Sequence, residues 1–434
     1  MVNPMRPSPQ RAQSWLPDAN DDATDFPLAH LPYGSFLSDE GQRLCVAIGA
    51  RLLDLHACAE ADLLPAKLQN ACRQATLNSL LALGPRAWVL LRHTLTALLE
   101  ESSPDRAKAE SALHSIAGAS LLKPIDIPNY TDFYTSIDHA TRVGQLFRPE
   151  NPLLANYKHI PIGYHGRASS IVPSGTPITR PVGQTTPLSP EQSPQFAATR
   201  SLDYELELAF YVGQPSTIGI PVPIDDAAHH LFGVSLLNDW SARDLQSWEY
   251  QPLGPFLAKD FATTMSPWVT PMAALEPFRI PAKSRPKKDP SPLPYLHSSS
   301  DQRQGSFDVK LEVFISTPSM RKHKLHPLLI NKTDTQHLYW TPAQLVAHQT
   351  SNGCNLQIGD ILATGTISGP EESSAGCLLE LTRNASKPLV LATGESRTFL
   401  LDGDEIILRG YCKRPGHARI GLGECRGTIH PARA

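Results

Sequence analysis

Missing first from this sequence is any apolar run near the roughly 20 residues that a membrane-spanning helix requires, so no span is expected. Missing too is any C-x-x-C pair. The seven cysteines (Cys45, Cys58, Cys72, Cys354, Cys377, Cys412 and Cys425) are odd in number and scattered. That pattern argues against a disulfide framework and a thiolate zinc site, and it fits a reducing compartment. Neither sign of charge is in excess: the net charge is −3 and the pI 6.6. Nucleic acid and acidic membrane surfaces are therefore not expected partners. The basic stretch KSRPKK, residues 283–288, reads as a solvated loop. The N-terminus has no apolar core of signal-peptide length, and four acids between Asp18 and Asp25 weaken a transit-peptide reading. Residues 1–24 are expected to be a disordered lead-in, and the compartment is expected to be the cytoplasm. Among chemical signatures, H-E-x-x-H, G-x-S-x-G and the P-loop are all lacking. GLGECRG, residues 421–427, has the wrong spacing for a dinucleotide loop and reads as a tight β-turn.

What is present is a chain of 434 residues, 41% hydrophobic and 19% charged, which suggests about two domains. Up to residue 124 the pattern mixes strands and helices. RLCVAIGARLLDL, residues 43–55, reads as a hairpin about Gly49. PRAWVLLRHTLTALLEE places Pro85 where a first helical residue belongs. SPDRAKAESALHSIAGASLL predicts a second helix capped by Ser103. Pro124 and Pro128 stop helical continuation, so the boundary is set there, giving an N-terminal domain over 25–123 and a larger one over 124–434. Beyond it, strand-like runs alternate with Gly and Pro punctuation, and 40 prolines fit a loop-rich β architecture. Residues 277–306 read as one long excursion.

The candidate chemistry is polar and lies after residue 124. In DYELELAF, residues 203–210, a strand sends Glu205 and Glu207 to one face and Leu206, Leu208 and Phe210 to the other. Two like charges side by side serve either a solvated face or one shared cation, and the strand alone does not decide. Asp132, Glu205, Glu207 and Asp239 are hard oxygen donors without thiolate or paired histidine, a set suited to Mg²⁺ or Ca²⁺ rather than zinc. In NDWSARDLQSWEY, a strand ends at Asn238 and Asp239. Asp239, Arg243, Gln246 and Tyr250 then follow at helical spacing, with Leu245 and Trp248 left to pack inward. Lys259 and Thr263 follow in LAKDFATT. Upstream, Asp132, Tyr134, His139 and Arg148 crowd one segment, which makes His139 a candidate base. Glu380, in the strand-like CLLELT, is a carboxylate able to orient an imidazole.

These stretches together resemble the fumarylacetoacetase (fumarylacetoacetate hydrolase) family. The likeness runs through DFPLAHLPYGSF, YTDFYTSIDHATRVGQLFR, PIGYHGRASSIVPSGTPI, LDYELELAFYVG, NDWSARDLQSWEYQPLGPFLAKDFATTMSPWV, NGCNLQIGDILATGTISG and TFLLDGDEIILRGYC. The resemblance implies a mainly β protein with some α. Its parts would be a small SH3-like N-terminal domain and a larger C-terminal mixed β-sheet roll, assembled as a homodimer. It implies cleavage of 4-fumarylacetoacetate to fumarate and acetoacetate, the last step of tyrosine and phenylalanine catabolism. By motif, Asp132, Glu205, Glu207 and Asp239 take calcium-ligand positions, and Lys259 and Thr263 lie where a second cation, Mg²⁺, is bound. His139 takes the general-base position with Glu380 as its orienting carboxylate. Arg243, Gln246 and Lys259 match oxyanion-stabilising groups, and Tyr134, Arg148, Gln246, Tyr250 and Thr366 match substrate contacts. Two alternatives stand beside it: an acylpyruvate hydrolase or decarboxylase of the same superfamily, and a non-catalytic metal-binding relative.

Overall fold

The structure, a computed structural model, describes residues 13–187, 189 and 191–433. In the N-terminal third, a five-stranded antiparallel sheet runs in the order Leu113–Ser115, Arg51–Asp54, Gly41–Ile48, Tyr33–Ser38, Leu121–Leu122. The hairpin about Gly49 forms as expected, with Gly49 at φ +56°, where a side chain would be strained. The helix Pro85–Leu99 starts at its proline and buries Ala87, Leu91, Leu95 and Leu98 along one stripe.

Two expectations for this third are corrected. The lead-in does not extend to residue 24, although residues 1–12 lie outside the described residues. Trp15 is only 6% exposed and donates its indole N–H to the Leu98 carbonyl, and Asp18 accepts the Ala50 amide beside the hairpin turn. An indole with apolar cover and a satisfied N–H tethers that segment. The second helix shrinks to Arg106–Glu110. Its C-terminal remainder instead joins the sheet through Leu113–Ser115 and Leu121–Leu122, with Gly118 at φ +83° turning the chain between them. Ser103 makes no cap.

After residue 124 two sheets dominate. The central one is mixed, in the order Gly163–Gly166, Tyr130–Phe133, Ile361–Ala363, Leu206–Val212, Leu231–Asp239, Thr263–Met265, Ile171–Pro173. Its parallel pairs are Ile361–Ala363 with Tyr130–Phe133 and Thr263–Met265 with Ile171–Pro173. The second sheet runs Leu328–Asp334, Lys310–Ser316, Glu405–Cys412, Ile420–His430, Ile178–Thr179. One face of the central sheet (Leu206, Leu208, Phe210, Leu236) packs against Leu311, Val313, Leu408 and Leu422 of the second sheet. The other face (Ala209, Tyr211, Leu237, Ala363) packs against Leu44, Val46, Leu91 and Leu95 of the N-terminal third. A strand covered on both faces has no solvated side, and Leu206–Val212 is accordingly buried at every position. The architecture is a strand-rich mixture of β and α.

Two further segments differ from expectation. CLLELT is not a strand: Leu378–Leu381 is a short helix, and Glu380 lies on it. The excursion 277–306 is pinned at its base by Arg279–Ile280 pairing with Ser306–Phe307, and it carries a capped helix, Ser299–Gln304. Within its basic stretch, Arg285 is not merely solvated. Its guanidinium lies 4.2 Å from the Tyr339 ring centre and 4.5 Å from that of Trp340.

Candidate functional site

Three strands of the central sheet, two of them separated by Ile361–Ala363, bring acids together. Asp132 comes from Tyr130–Phe133, Glu207 from Leu206–Val212, and Asp239 ends Leu231–Asp239. Carboxylate oxygens of Asp132, Glu207 and Asp239 lie within 4.8 Å of one another, and all three residues are buried. Among the described residues, Asp132 Oδ1 and Glu207 Oε1 have no hydrogen-bond partner. Glu207 Oε2 accepts the Gly365 amide at 3.0 Å. That approach needs glycine: Gly365 sits at φ +70°, and a Cβ there would collide with the Phe133 carbonyl. Tyr164 donates to Asp239 at 3.2 Å. Burial, and then the charge of Asp239, pushes the Asp132 carboxyl up to about 8. Burial, followed by Asp132 and Asp239, holds Glu207 well above the usual range. Buried acids with orphaned oxygens are costly unless something positive meets them, and an all-oxygen set fits a hard divalent cation.

Glu205, two residues from Glu207, is treated differently. It lies between Leu202–Asp203, which pairs with Ser241–Ala242, and the strand that begins at Leu206. Its Oε1 lies 2.7 Å from Arg243 Nη1, and its Oε2 accepts Lys259 Nζ at 2.6 Å. Lys259 also donates to Asp239 Oδ2 at 2.5 Å. Burial opposes the Glu205 charge, but Lys259 and Arg243 outweigh it and hold the carboxyl far below its ordinary range. Thr263 faces Asp239 across the strand pair and is buried.

The third group centres on the helix Ile137–Phe147. Ser136 caps it through the His139 amide and donates to the Ser368 carbonyl. His139 Nδ1 lies 2.6 Å from Glu380 Oε1, and both residues are buried. Ser368 donates to the same oxygen at 2.7 Å. Arg142 donates to Glu380 Oε2 at 3.1 Å, and to the carbonyls of Gly369 and Glu371. Against the cost of burial, His139, Ser368 and Arg142 lower the Glu380 carboxyl to about 2. Tyr134 stands edge-on to the His139 ring at 5.3 Å.

Other expected site residues are less engaged. Gln246 accepts from Arg243 at 3.1 Å. Thr366 is buried and Arg148 ends the His139 helix, and among the described residues neither Thr366 Oγ1 nor the buried Arg148 Nε has a partner. The single helical face through Asp239 does not form, because Asp239 closes a strand and the helix is only Arg243–Glu249. Leu245 packs inward, whereas Trp248 and Tyr250 are exposed.

Sequence reasoning missed four residues: Asp203, Arg142, Tyr164 and Ser368. Asp203 had a signal, since it shares the alternation of Glu205 and Glu207. Its carboxylate accepts the amides of Leu378 and Leu379 and two N–H donors of Arg243. Arg142 and Tyr164 act on partners 238 and 75 residues away, and no local pattern announces that.

Residues 129–430 match the family model described as fumarylacetoacetate (FAA) hydrolase C-terminal, and residues 29–124 match that described as fumarylacetoacetase N-terminal. The chain belongs to the fumarylacetoacetate hydrolase family. It is 46% identical to human fumarylacetoacetase over 428 residues, covering 96% of this chain and 99% of that one. It is likewise 46% identical to the fumarylacetoacetase of Dictyostelium discoideum over 420 residues (94% and 96%) and to that of Arabidopsis thaliana over 417 (94% and 96%). In fold it resembles a fumarylacetoacetate hydrolase of Exiguobacterium antarcticum, at a TM-score of 0.51 and 18% identity, covering 93% of this chain and 100% of that one. Membership of this hydrolase family makes the chain an enzyme, and the three polar groups are where its chemistry is to be sought. No helix among the described residues is long and apolar enough to cross a membrane.

Proposed function

We propose that the chain hydrolyses 4-fumarylacetoacetate to fumarate and acetoacetate. The observation that carries this reading is a buried His139–Glu380 couple, near enough for the imidazole's charge to act on Glu205, together with an acid trio in which Asp132 and Glu207 each keep one oxygen without a partner among the described residues. The near-full-length likeness to fumarylacetoacetases supplies the substrate.

Nδ1 of His139 is committed to Glu380, which leaves Nε2 to take a proton from water. The resulting hydroxide adds to the carbonyl beside the fumaryl part. Arg243, Gln246 and Lys259 offer donors to the developing oxyanion, and one such donor is commonly worth about 10²–10³ in turnover. The carbon–carbon bond then breaks. Its electron pair leaves with the acetoacetate fragment, which takes up the proton. Arg148 holds a terminal carboxylate of the substrate, with Tyr134, Tyr250 and Thr366 as further contacts. Asp132, Glu205, Glu207 and Asp239 would hold Ca²⁺, and Lys259 (through its backbone carbonyl) and Thr263 would hold Mg²⁺. Such a cation supplies Lewis-acid stabilisation of negative charge on the dicarbonyl oxygens.

The same reading makes this the last step of tyrosine and phenylalanine breakdown, carried out by a cytoplasmic homodimer. It also takes 25–123 and 124–434 as the two domains, in keeping with family matches over 29–124 and 129–430. The test is loss of the substrate's diketone absorbance, followed with and without EDTA and after adding back Ca²⁺ or Mg²⁺. Metal-dependent turnover is expected. Faster turnover of an acylpyruvate offered in parallel, or full activity in EDTA, would overturn the proposal.

A further inference from the structure

We propose that Asp203 is a positioning residue that holds both halves of the catalytic apparatus, the His139–Glu380 couple and Arg243, in mutual register. This rests on the hydrolytic reading above. The carboxylate is fully buried and all its bonds are directional. Oδ1 accepts the Leu378 amide at 2.7 Å and the Tyr204 amide at 2.8 Å. Oδ2 accepts the Leu379 amide at 3.0 Å, and Nε and Nη2 of Arg243 at 2.9 and 2.8 Å.

The two amides open the short helix Leu378–Leu381, whose next residue is Glu380. No side chain within that segment caps it, so Asp203, 175 residues upstream, stands in for an N-cap. Four residues have little helical tendency of their own, so the direction of the Glu380 carboxylate depends on this anchor.

The same carboxylate grips the Nε–Nη2 edge of Arg243. A guanidinium is planar, so fixing that edge fixes where Nη1 points, which is toward Glu205 Oε1 at 2.7 Å and Gln246 Oε1 at 3.1 Å. Without Asp203, Arg243 would be free to turn its whole fork onto Glu205. One side chain thus sets the distance between the group that orients the base and the group that meets the oxyanion. Catalysis is sensitive to such spacing at the level of about 1 Å.

The test is Asp203→Asn and, as a variant that keeps a capping oxygen, Asp203→Ser, each assayed for kcat, KM and bound metal. Displacing an oxyanion donor predicts a fall in kcat of about 10²-fold or more with KM little changed and metal content kept. A double-mutant cycle separates positioning from general damage. The loss caused by Asp203→Ser should shrink when Arg243→Ala or Glu380→Gln is already present, because the group being positioned is gone. A near-parental kcat, losses that multiply in full in both backgrounds, or failure of both variants to fold would each overturn the proposal. If the parent turns over neither fumarylacetoacetate nor an acylpyruvate, the functional reading is what has failed. The positioning claim is then read from the Arg243 Nε proton, which should be slow to exchange in the parent and fast in Asp203→Ser. Equal exchange would overturn it.

Discussion

Glu205 and Glu207 leave the same stretch of chain two residues apart, yet the protein meets them in opposite ways. Glu205 has a guanidinium on one oxygen and an ammonium on the other. Glu207 has one backbone amide and an orphaned oxygen, with Asp132 and Asp239 close by. Burial costs both carboxylates their hydration. The fold supplies both counter-charges of Glu205 but gives the trio only Lys259, on Asp239, and Asp132 and Glu207 have no cationic partner among the described residues. Before any cation joins it, Glu205 is thus a finished arrangement in charge, whereas Asp132 and Glu207 form an unfinished one. The His139–Glu380 couple is of the finished kind: both Glu380 oxygens are used, and only one nitrogen of His139 is.

The largest expected effect falls on that couple. His139→Ala should remove about 10²–10⁴ of turnover while folding and metal content are kept, since general-base catalysis contributes on that scale. Turnover near the parental rate would detach the couple from the chemistry.

The next effect tests the comparison itself. In chelator, Glu205→Gln should destabilise by about 3–5 kcal/mol, because it leaves Arg243 and Lys259 buried with a lost partner. Asp132→Asn should cost little near neutral pH, because burial raises this carboxyl to about 8 and the change swaps a protonated acid for a neutral amide of the same shape. Urea unfolding in EDTA measures both. Equal losses would show that the trio is as complete as the Glu205 group. Activity should be lost in both variants.

A smaller effect concerns the cation. Saturation at a hundred times the dissociation constant stabilises by about 2.7 kcal/mol, which should be seen as a rise in Tm with Ca²⁺ or Mg²⁺ in the parent and not in Glu207→Ala. The pH dependence has a definite sign. Burial raises the Asp132 carboxyl to about 8, so below that pH a cation must displace a proton. Affinity should rise with pH through that range, with proton release seen by calorimetry in two buffers. Affinity that does not change with pH would contradict this placement.

Local pattern was enough for elements whose causes are local. The strand Leu206–Val212 follows from alternation and apolar content, the helix Pro85–Leu99 from its stripe and its proline, and the hairpin from Gly49. It failed where the cause is remote. Leu378–Leu381 is helical because a carboxylate at residue 203 receives its amides, and Trp15 is ordered because Leu98 offers it a carbonyl and a cover. For the site, sequence named residues that the structure brings near one another, such as Asp132, Glu207 and Asp239, and which partner each one meets came only from the structure. Spacing says that Glu205 and Glu207 share a face. It cannot say that Lys259, 54 residues on, meets one of them and not the other.

The smallest expected effect isolates burial from distance. Lys332 and Glu312 face each other across an antiparallel pair at 2.8 Å, nearly the 2.7 Å of Arg243 and Glu205. Their side chains are 58% and 17% exposed, against 8% and 7% for the buried pair. Water already solvates Lys332, so its removal leaves no uncompensated buried charge. Lys332→Met should therefore cost no more than about 1 kcal/mol, within the range of exposed ion pairs. High salt should shrink even that, while leaving the Glu205→Gln loss largely intact. Parallel urea unfolding of the two variants at low and high salt makes the comparison. If Lys332→Met cost as much as Glu205→Gln, proximity of charge rather than exclusion of water would be what distinguishes the finished group from the unfinished one.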